Sequence, residues 1–100
     1  MLDALTLDQM RTFVTVAEAG SFRSAATRLS RAQSAISHAI ANLEAQLGLS
    51  LFDRSAHRPA LTAEGKALLA DIKEVLLRVG ALKARAHGLS RGVEIELSLT

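Results

Sequence analysis

Residues that start or stop helices recur at short intervals through the first 48 residues of this chain. Thr6 and Gln9 have the spacing of a capping box, in which each side chain accepts a hydrogen bond from the other residue's backbone N–H. Gly20 is expected to end this first helix in a left-handed conformation, and Ser21 follows at once as the cap of a second. Gly48 is expected to end a third helix. Such closely spaced signals predict a small domain of short helices joined by tight turns.

The third predicted helix follows a three-residue turn at residues 30–32 and turns an apolar face inward through Ile36, Ile40 and Leu43. Two short helices joined by a tight turn, behind a supporting first helix, form a helix-turn-helix. A surface helix usually carries Lys and Glu on its outer face. Here the outer face is small and uncharged, which suits a helix that enters the major groove of DNA. Its residues are Ser34, Ser37, His38, Ala41 and Ala45.

The segment after Gly48 predicts a hairpin beside this helix. Residues 49–52 have the composition of a short strand, and residues 60–61 of a second, with His57 and Arg58 at the tip between them. A hairpin placed there is a wing, which can contact the DNA backbone or enter the minor groove. The sequence therefore predicts a mostly α-helical, winged helix-turn-helix domain over residues 1–62.

Thr62 is a candidate N-cap for a long helix over residues 63–87, and the segment through residue 89 carries an apolar seam of heptad spacing. We interpret it as a dimerisation helix; the alternative is a helix packed wholly on its own domain. Residues 90–92 are expected to end the helix, and alternating apolar residues from Val93 predict a strand that begins a further, C-terminal domain over residues 90–100. The seam comprises Gly65, Leu68, Ile72, Val75, Val79, Leu82, Ala86 and Leu89.

Charge is unevenly distributed although the net charge is only +2. Residues 19–43 contain Arg23, Arg28 and Arg31 and no acid, and residues 54–63 are likewise basic. Clustered positive charge indicates a phosphate-facing surface; the alternative is scattered solubilising charge.

The composition also excludes several classes of site. The chain has no cysteine, so disulfides, thiolate metal sites and cysteine nucleophiles are excluded. No apolar run approaches the roughly 20 residues that span a bilayer, and the start has no basic leader, so we expect a cytoplasmic protein. The three histidines lack metal-ligand spacing, and no catalytic signature surrounds the serines or histidines. We therefore expect neither an enzyme nor a metal or cofactor.

These segments together resemble a known family. The run from Phe13 to Arg54, followed by the segment LTAEG, is similar to the N-terminal DNA-binding domain of LysR-type transcriptional regulators. The resemblance covers residues 5–65, and the long helix extends it to about residue 89. The matching residues are Phe13, Gly20, Ser21, Phe22, Ala25, Ala26, Leu29, Gln33, Ser37, Ile40, Leu43, Glu44, Leu47, Gly48, Leu51, Phe52, Arg54, Leu61, Thr62 and Gly65.

The resemblance implies a domain that binds double-stranded promoter DNA as a dimer or a dimer of dimers. Linker helices would pair the domains, with dimer contacts at Leu68, Ile72, Val75, Val79 and Leu82, and a periplasmic-binding-protein-like C-terminal domain would sense a small effector. By position, Ser21 and Arg23 would hold phosphates. The residues that would face the major groove are Gln33, Ser34, Ser37 and His38.

Each proposed base contact has a simpler alternative. Gln33 can read adenine through its amide, or it can merely solvate the helix start. Ser34 and Ser37 are small donors suited to bases or phosphates, or they are simply exposed. His38 can donate to guanine or phosphate, in which case its protonation would strengthen DNA binding at lower pH.

The basic side chains are candidates for phosphate contacts. Arg58, with His57 beside it, is the stronger wing candidate. Arg31, in the turn, is expected to contact phosphate, with a solvated surface arginine as the alternative. Arg54 either clamps a phosphate or pairs with Glu44 beneath the wing, and the sequence does not decide between them.

Three positions depart from the usual family pattern. Ala32 stands where Ser or Thr is usual, so the third helix lacks a side-chain N-cap, a loss of about 1 kcal/mol. Ser34 replaces a frequent proline. His38 and Ala39 stand where a basic and a polar residue are common, which indicates a different operator preference. The leading hypothesis is a sequence-specific transcriptional regulator, and the alternative is a winged-helix protein-interaction module that does not read DNA.

Overall fold

In a computed structural model, the chain folds into three short helices, a two-stranded wing and one long helix, which confirms the predicted fold class. The structure describes the backbone of residues 5–55 and 58–99, and the side chains of that part of the chain up to residue 91. The elements are α1 (Leu7–Ala19), α2 (Phe22–Leu29), α3 (Gln33–Leu47), β1 (Phe52–Asp53), β2 (Ala60–Leu61) and α4 (Ala63–Leu99).

The predicted caps lie at the helix ends. Thr6 and Gln9 form both hydrogen bonds of the capping box, each 3.1 Å long. Gly20 ends α1 with φ at 80°, and Gly48 ends α3 with φ at 70°. Ser21 Oγ accepts from the backbone N–H of Ser24 at 3.0 Å and so begins α2 without an intervening loop. These local bonds set the lengths of the first three helices.

The turn between α2 and α3 is held by the backbone. Ser30, which ends α2, adopts a left-handed φ of 54°, an unusual conformation for a residue other than glycine. Arg31 then donates its backbone N–H to the carbonyl of Ala26 at 2.9 Å. Ala32 begins α3 with no side-chain hydrogen bond to cap it, as the sequence predicts.

The core of the domain lies where α1, α2 and α3 meet the wing. Phe13, Ile36, Ile40 and Leu43 are fully buried, so α3 turns its apolar face inward as predicted. Phe52 of the wing packs edge-on against Phe13, with 5.5 Å between ring centroids. Edge-to-face aromatic packing adds to the area that these rings bury, and it fixes the wing against the helices.

The wing is antiparallel, with Phe52 opposite Leu61 and Asp53 opposite Ala60. The second strand lies where it is predicted, but the first begins at Phe52 rather than near Leu49. The reason is that the backbone N–H of Leu51 donates to the Glu44 carboxylate at 2.7 Å, so it is not available to a strand partner. Leu51 is instead fully buried, and its carbonyl accepts from the N–H of Thr62 at 3.0 Å.

The long helix starts at the predicted cap. Thr62 Oγ1 accepts from the backbone N–H of Gly65 at 2.9 Å and donates to the Ser50 carbonyl at 2.6 Å. Gly65 itself lies so close to the wing that a Cβ there would overlap the carbonyl oxygen of Leu51. Only glycine allows α4 to leave the wing at this distance.

The prediction that α4 ends at residues 90–92, with a strand from Val93, is wrong. The helix continues to Leu99 and contains 37 residues. A strand needs a partner for its backbone groups, and within the described residues β1 and β2 pair only with each other. A helix satisfies its own backbone. Gly92 weakens it by about 1 kcal/mol relative to alanine, but the single proline of the chain is Pro59, so nothing in this segment forbids the helix.

The first turns of α4 belong to the domain. Ile72 is only 7% exposed and is part of the core, and Leu68 packs against it half-buried. The predicted partner-facing seam is therefore shorter than proposed, because its N-terminal part is covered by the chain itself. In the described segments, no helix has an apolar stretch long enough to cross a membrane.

Candidate nucleic-acid interface

The outer face of α3 is exposed and carries no charged residue. Gln33, Ser34 and His38 are exposed, and Ser37 is half-buried at the edge of the same face. Because the buried side of the helix is filled by Ile36 and its apolar neighbours, these polar side chains turn away from the core. Within the described part of the chain, none of the four is engaged in a side-chain hydrogen bond. Their donors and acceptors are free for a ligand.

The N-terminus of α3 adds backbone donors to this face. The carbonyl of Ala32 accepts from the N–H groups of Ala35 at 3.0 Å and Ile36 at 3.2 Å. The first N–H groups of a helix have no intrahelical acceptor, and here no side chain caps them. The positive end of the helix dipole therefore opens toward solvent beside Gln33 and Ser34, which favours an anion such as a phosphate.

Ser21 and Arg23 lie next to the start of α2, Ser21 as its N-cap and Arg23 in its first turn. Ser21 is half-buried, and its oxygen is occupied as the N-cap of α2, although its hydroxyl proton can still be donated. Arg23 is exposed on the first turn, as is Arg28 on the last. Among the described residues, neither Arg23 nor Arg28 has an ion-pair partner, so both guanidinium groups of this helix can bind a ligand.

Arg31 is not free, which neither interpretation of the sequence anticipated. Its Nη1 and Nη2 donate to the two carboxylate oxygens of Asp8, at 2.8 and 2.5 Å. The hydrogen bond from Arg31, assisted by its charge, holds the pKa of the Asp8 carboxyl below its usual value. Asp8 was not a candidate from sequence, and because the partners are 23 positions apart in the chain, no local pattern links them.

Arg54 lies between the wing and the helices. Its Nη2 is 3.7 Å from Glu44 Oε1, and its guanidinium carbon lies 5.0 Å from the centroid of the Phe22 ring. The same Glu44 carboxylate accepts from the backbone N–H groups of Leu51 and, more weakly, Phe52. Of the two alternatives for Arg54, the pairing with Glu44 is the one present in this structure. The contact with Phe22 had no sequence signal.

The tip of the wing carries the charged side chain of Arg58, close to a turn that Asp53 and Ser55 stabilise by hydrogen bonds. Arg58 is exposed. The backbone N–H and the hydroxyl of Ser55 both donate to Asp53 Oδ1, at 3.0 and 2.6 Å. These bonds, that of the hydroxyl above all, lower the pKa of the Asp53 carboxyl. His57, the other predicted wing residue, lies outside the described residues.

Beyond Ile72, α4 carries an exposed apolar surface. Val75 is 43% and Leu82 is 67% exposed, and Val79 lies half-buried between them. Helix α4 therefore does not pack wholly on its own domain. An open groove follows this face, lined by Asp71, Glu74, Val75, Arg78, Val79 and Leu82.

Comparison with known proteins finds relatives that are described as HTH-type transcriptional regulators. HTH-type transcriptional regulator AceR of Acinetobacter baumannii is 40% identical to this chain over 92 residues, which are 92% of this chain and 31% of AceR. The chain thus spans about a third of the length of this curated relative.

Two solved structures of DNA-binding domains match the fold. The CbnR_DBD–DNA complex aligns with a TM-score of 0.82 and 36% identity, covering 86% of this chain and 99% of that one. The BenM_DBD/catB site 1 DNA complex aligns with a TM-score of 0.83 and 31% identity, covering 86% and 97%. The family model described as bacterial regulatory helix-turn-helix protein, lysR family, matches residues 7–66. These matches place the chain in the LysR family of bacterial regulatory helix-turn-helix proteins.

Proposed function

We propose that this chain is the DNA-binding part of a LysR-type transcriptional regulator and that α3 enters the major groove of double-stranded promoter DNA. The observation that carries the proposal is the outer face of α3, which is exposed, hydrogen-bonding and free of charged residues. Glutamate there would repel phosphates, and long charged side chains would keep the helix away from the base edges. The DNA complexes of CbnR_DBD and BenM_DBD are of domains with the same fold.

The roles of individual residues follow from their surroundings. Gln33, Ser34 and Ser37 have unoccupied polar groups on the groove-facing side, and we assign them to base edges and nearby phosphates, with His38 on the same face. Direct readout needs such free donors and acceptors, and a Gln amide can form a bidentate pair with adenine. These residues would supply the choice of sequence.

Basic residues around α3 would supply affinity that does not depend on sequence. We assign Arg23 and Arg58 to backbone phosphates because both are exposed and neither has an ion-pair partner in the described part of the chain. Ser21 would add a hydroxyl donor at the start of α2. Arg54 already contacts Glu44 and Phe22, so we assign it to holding the wing in place rather than to phosphate.

A dimer would form through α4. We propose that Val75, Val79 and Leu82 pair with a second copy, since they form a continuous apolar surface that the domain leaves uncovered. Residues 1–62 would then be the DNA-binding domain and residues 63–89 the linker. A symmetric dimer of such domains reads two half-sites, and its operator is an interrupted palindrome.

The proposal is tested by selecting bound duplexes from a random pool and titrating salt on the selected and random sequences by fluorescence anisotropy. Gln33→Ala should reduce the preference for the selected sequence by about 1–3 kcal/mol while affecting random DNA little. Arg58→Ala should weaken both alike and lower the salt slope by about 0.9. Equal losses on both DNAs for both variants would contradict this division of roles, and no retention of DNA at all would favour a protein-interaction module.

A further inference from the structure

The ion pair between Arg31 and Asp8 lies next to the groove-facing helix, yet the roles assigned above do not use it. Arg31 is two positions before Gln33, in the turn that leads into α3. Its two terminal nitrogens are both bonded to the carboxylate of Asp8, which comes from the first turn of α1. The two side chains are 40% and 51% exposed, so the pair is open to solvent and to a ligand.

The geometry of this pair limits what else Arg31 can bind. A guanidinium offers one planar fork to a carboxylate or a phosphate, and bidentate binding of one group at a given edge excludes the other. Asp8 occupies the edge formed by Nη1 and Nη2. A phosphate that approached α3 and sought this edge would have to displace Asp8. The carboxylate also cancels the positive charge that Arg31 would otherwise present to DNA.

We propose that Asp8 competes with DNA phosphate for the guanidinium of Arg31 and thereby lowers the affinity of the domain for DNA of any sequence. This inference rests on the proposed function. Since Asp8 reads no base, its effect falls on the charge-driven part of binding, which is the part that all sequences share. Because the loss is the same for every sequence, Asp8 lowers the overall affinity for DNA and leaves the ratio of specific to random binding to the base-contacting residues of α3.

The experiment measures binding to a random-sequence duplex at 0.1 M salt by fluorescence anisotropy, for Asp8→Asn, Arg31→Gln and the double variant. Glu18→Gln is the matched control, because it removes one negative charge from the same helix and breaks an equally exposed ion pair, with Lys73 at 3.3 Å. Glu18 lies about 15 Å further along α1 at 1.5 Å per residue, which exceeds the screening length of about 10 Å at this salt concentration. Thermal unfolding of each variant verifies that it is folded.

Asp8→Asn should tighten binding to the random duplex about two- to fivefold, the factor that corresponds to releasing an exposed ion pair. The tightening should disappear when Arg31 is already Gln, and Glu18→Gln should leave the affinity close to that of the wild type. An unchanged affinity in Asp8→Asn, or equal tightening with Arg31 and with Gln at that position, would overturn the inference while leaving the proposed function intact. A wild-type chain that binds neither random nor selected duplex would overturn both.

Discussion

Replacing Glu44 with alanine should remove the contacts by which α3 holds the wing and should destabilise the fold. One carboxylate oxygen of Glu44 accepts from the backbone N–H of Leu51 at 2.7 Å and from that of Phe52 at 3.4 Å. The other lies 3.7 Å from Arg54 Nη2, and the Glu44 side chain is only 19% exposed. Leu51 and Phe52 are both buried. The substitution therefore leaves a buried N–H group without its acceptor and removes a partner of the wing arginine.

The expected loss can be worked out from these contacts. An unsatisfied buried donor costs about 1–3 kcal/mol, and an exposed ion pair adds at most about 1 kcal/mol. We therefore expect Glu44→Ala to lower the free energy of unfolding by about 1–4 kcal/mol. Glu44→Gln keeps an acceptor for the Leu51 N–H and should lose about 1 kcal/mol. At roughly 4–8 °C per kcal/mol for a domain of this size, the alanine variant should melt at least about 4 °C below the wild type.

Thermal and urea unfolding at one fixed protein concentration measure this difference, since self-association would otherwise shift the midpoint. Gln46→Ala is a matched control, because it is exposed on the same helix and should change stability by no more than about 0.5 kcal/mol. If Glu44→Ala unfolds within about 0.5 kcal/mol of the wild type, the wing is not held by this carboxylate and the reasoning is refuted.

Three further predictions test other parts of the structure. Gly65→Ala should destabilise the fold by about 1–2 kcal/mol, because overlap of the new Cβ with the wing backbone costs more than the gain in helix propensity. Gly80→Ala is the control, because it has open space around it and should stabilise the fold by up to about 1 kcal/mol. Equal shifts of the melting temperature in the two variants would contradict the close approach at Gly65. Val75→Glu combined with Leu82→Glu should sediment as a monomer at concentrations where the wild type is a dimer, and an unchanged dimer would exclude this surface. If His38 contacts DNA, His38→Ala should weaken binding to the selected duplex, because a hydrogen-bonding group on the groove-facing side is lost; an unchanged affinity would remove His38 from the interface.

Local signals of the sequence specify the helical part of the fold. The capping box of Thr6 and Gln9, the cap at Ser21 and the glycine stop at Gly48 each act within a few residues. Their hydrogen bonds are set by backbone geometry that the residue types alone imply. For the same reason, the apolar and polar faces of α3 follow directly from the spacing of Ile36, Ile40 and Leu43.

Contacts between distant segments could not be predicted in this way. Asp8 and Arg31 meet because α1 and the turn before α3 pack side by side, and nothing in either segment specifies the other. The contact between Arg54 and Phe22 has the same origin. Sequence alone therefore could not show that Arg31 and Arg54, both proposed as phosphate contacts, have partners within the chain.

The heptad pattern of α4 could not show, for a related reason, which part of the seam the chain itself covers. An apolar seam indicates that its residues are buried, but it does not show whether the same chain or a second chain buries them. Ile72 is covered by its own domain, whereas Leu82 is exposed. Alternating apolar residues from Val93 matched a strand by period, but a strand also requires a partner that the described part of the chain does not supply.

The most direct test of the groove-facing role of α3 is to place a negative charge on its exposed face and measure DNA binding. Ser34→Glu puts a carboxylate in the first turn of α3, where it favours the helix through the dipole and so leaves the fold intact. Gln46→Glu adds the same charge on an exposed position at the other end of the helix. We expect Ser34→Glu to abolish binding to selected and random duplexes alike while Gln46→Glu retains most of it. A folded Ser34→Glu protein that binds the selected duplex as tightly as the wild type would contradict the entry of this face into DNA.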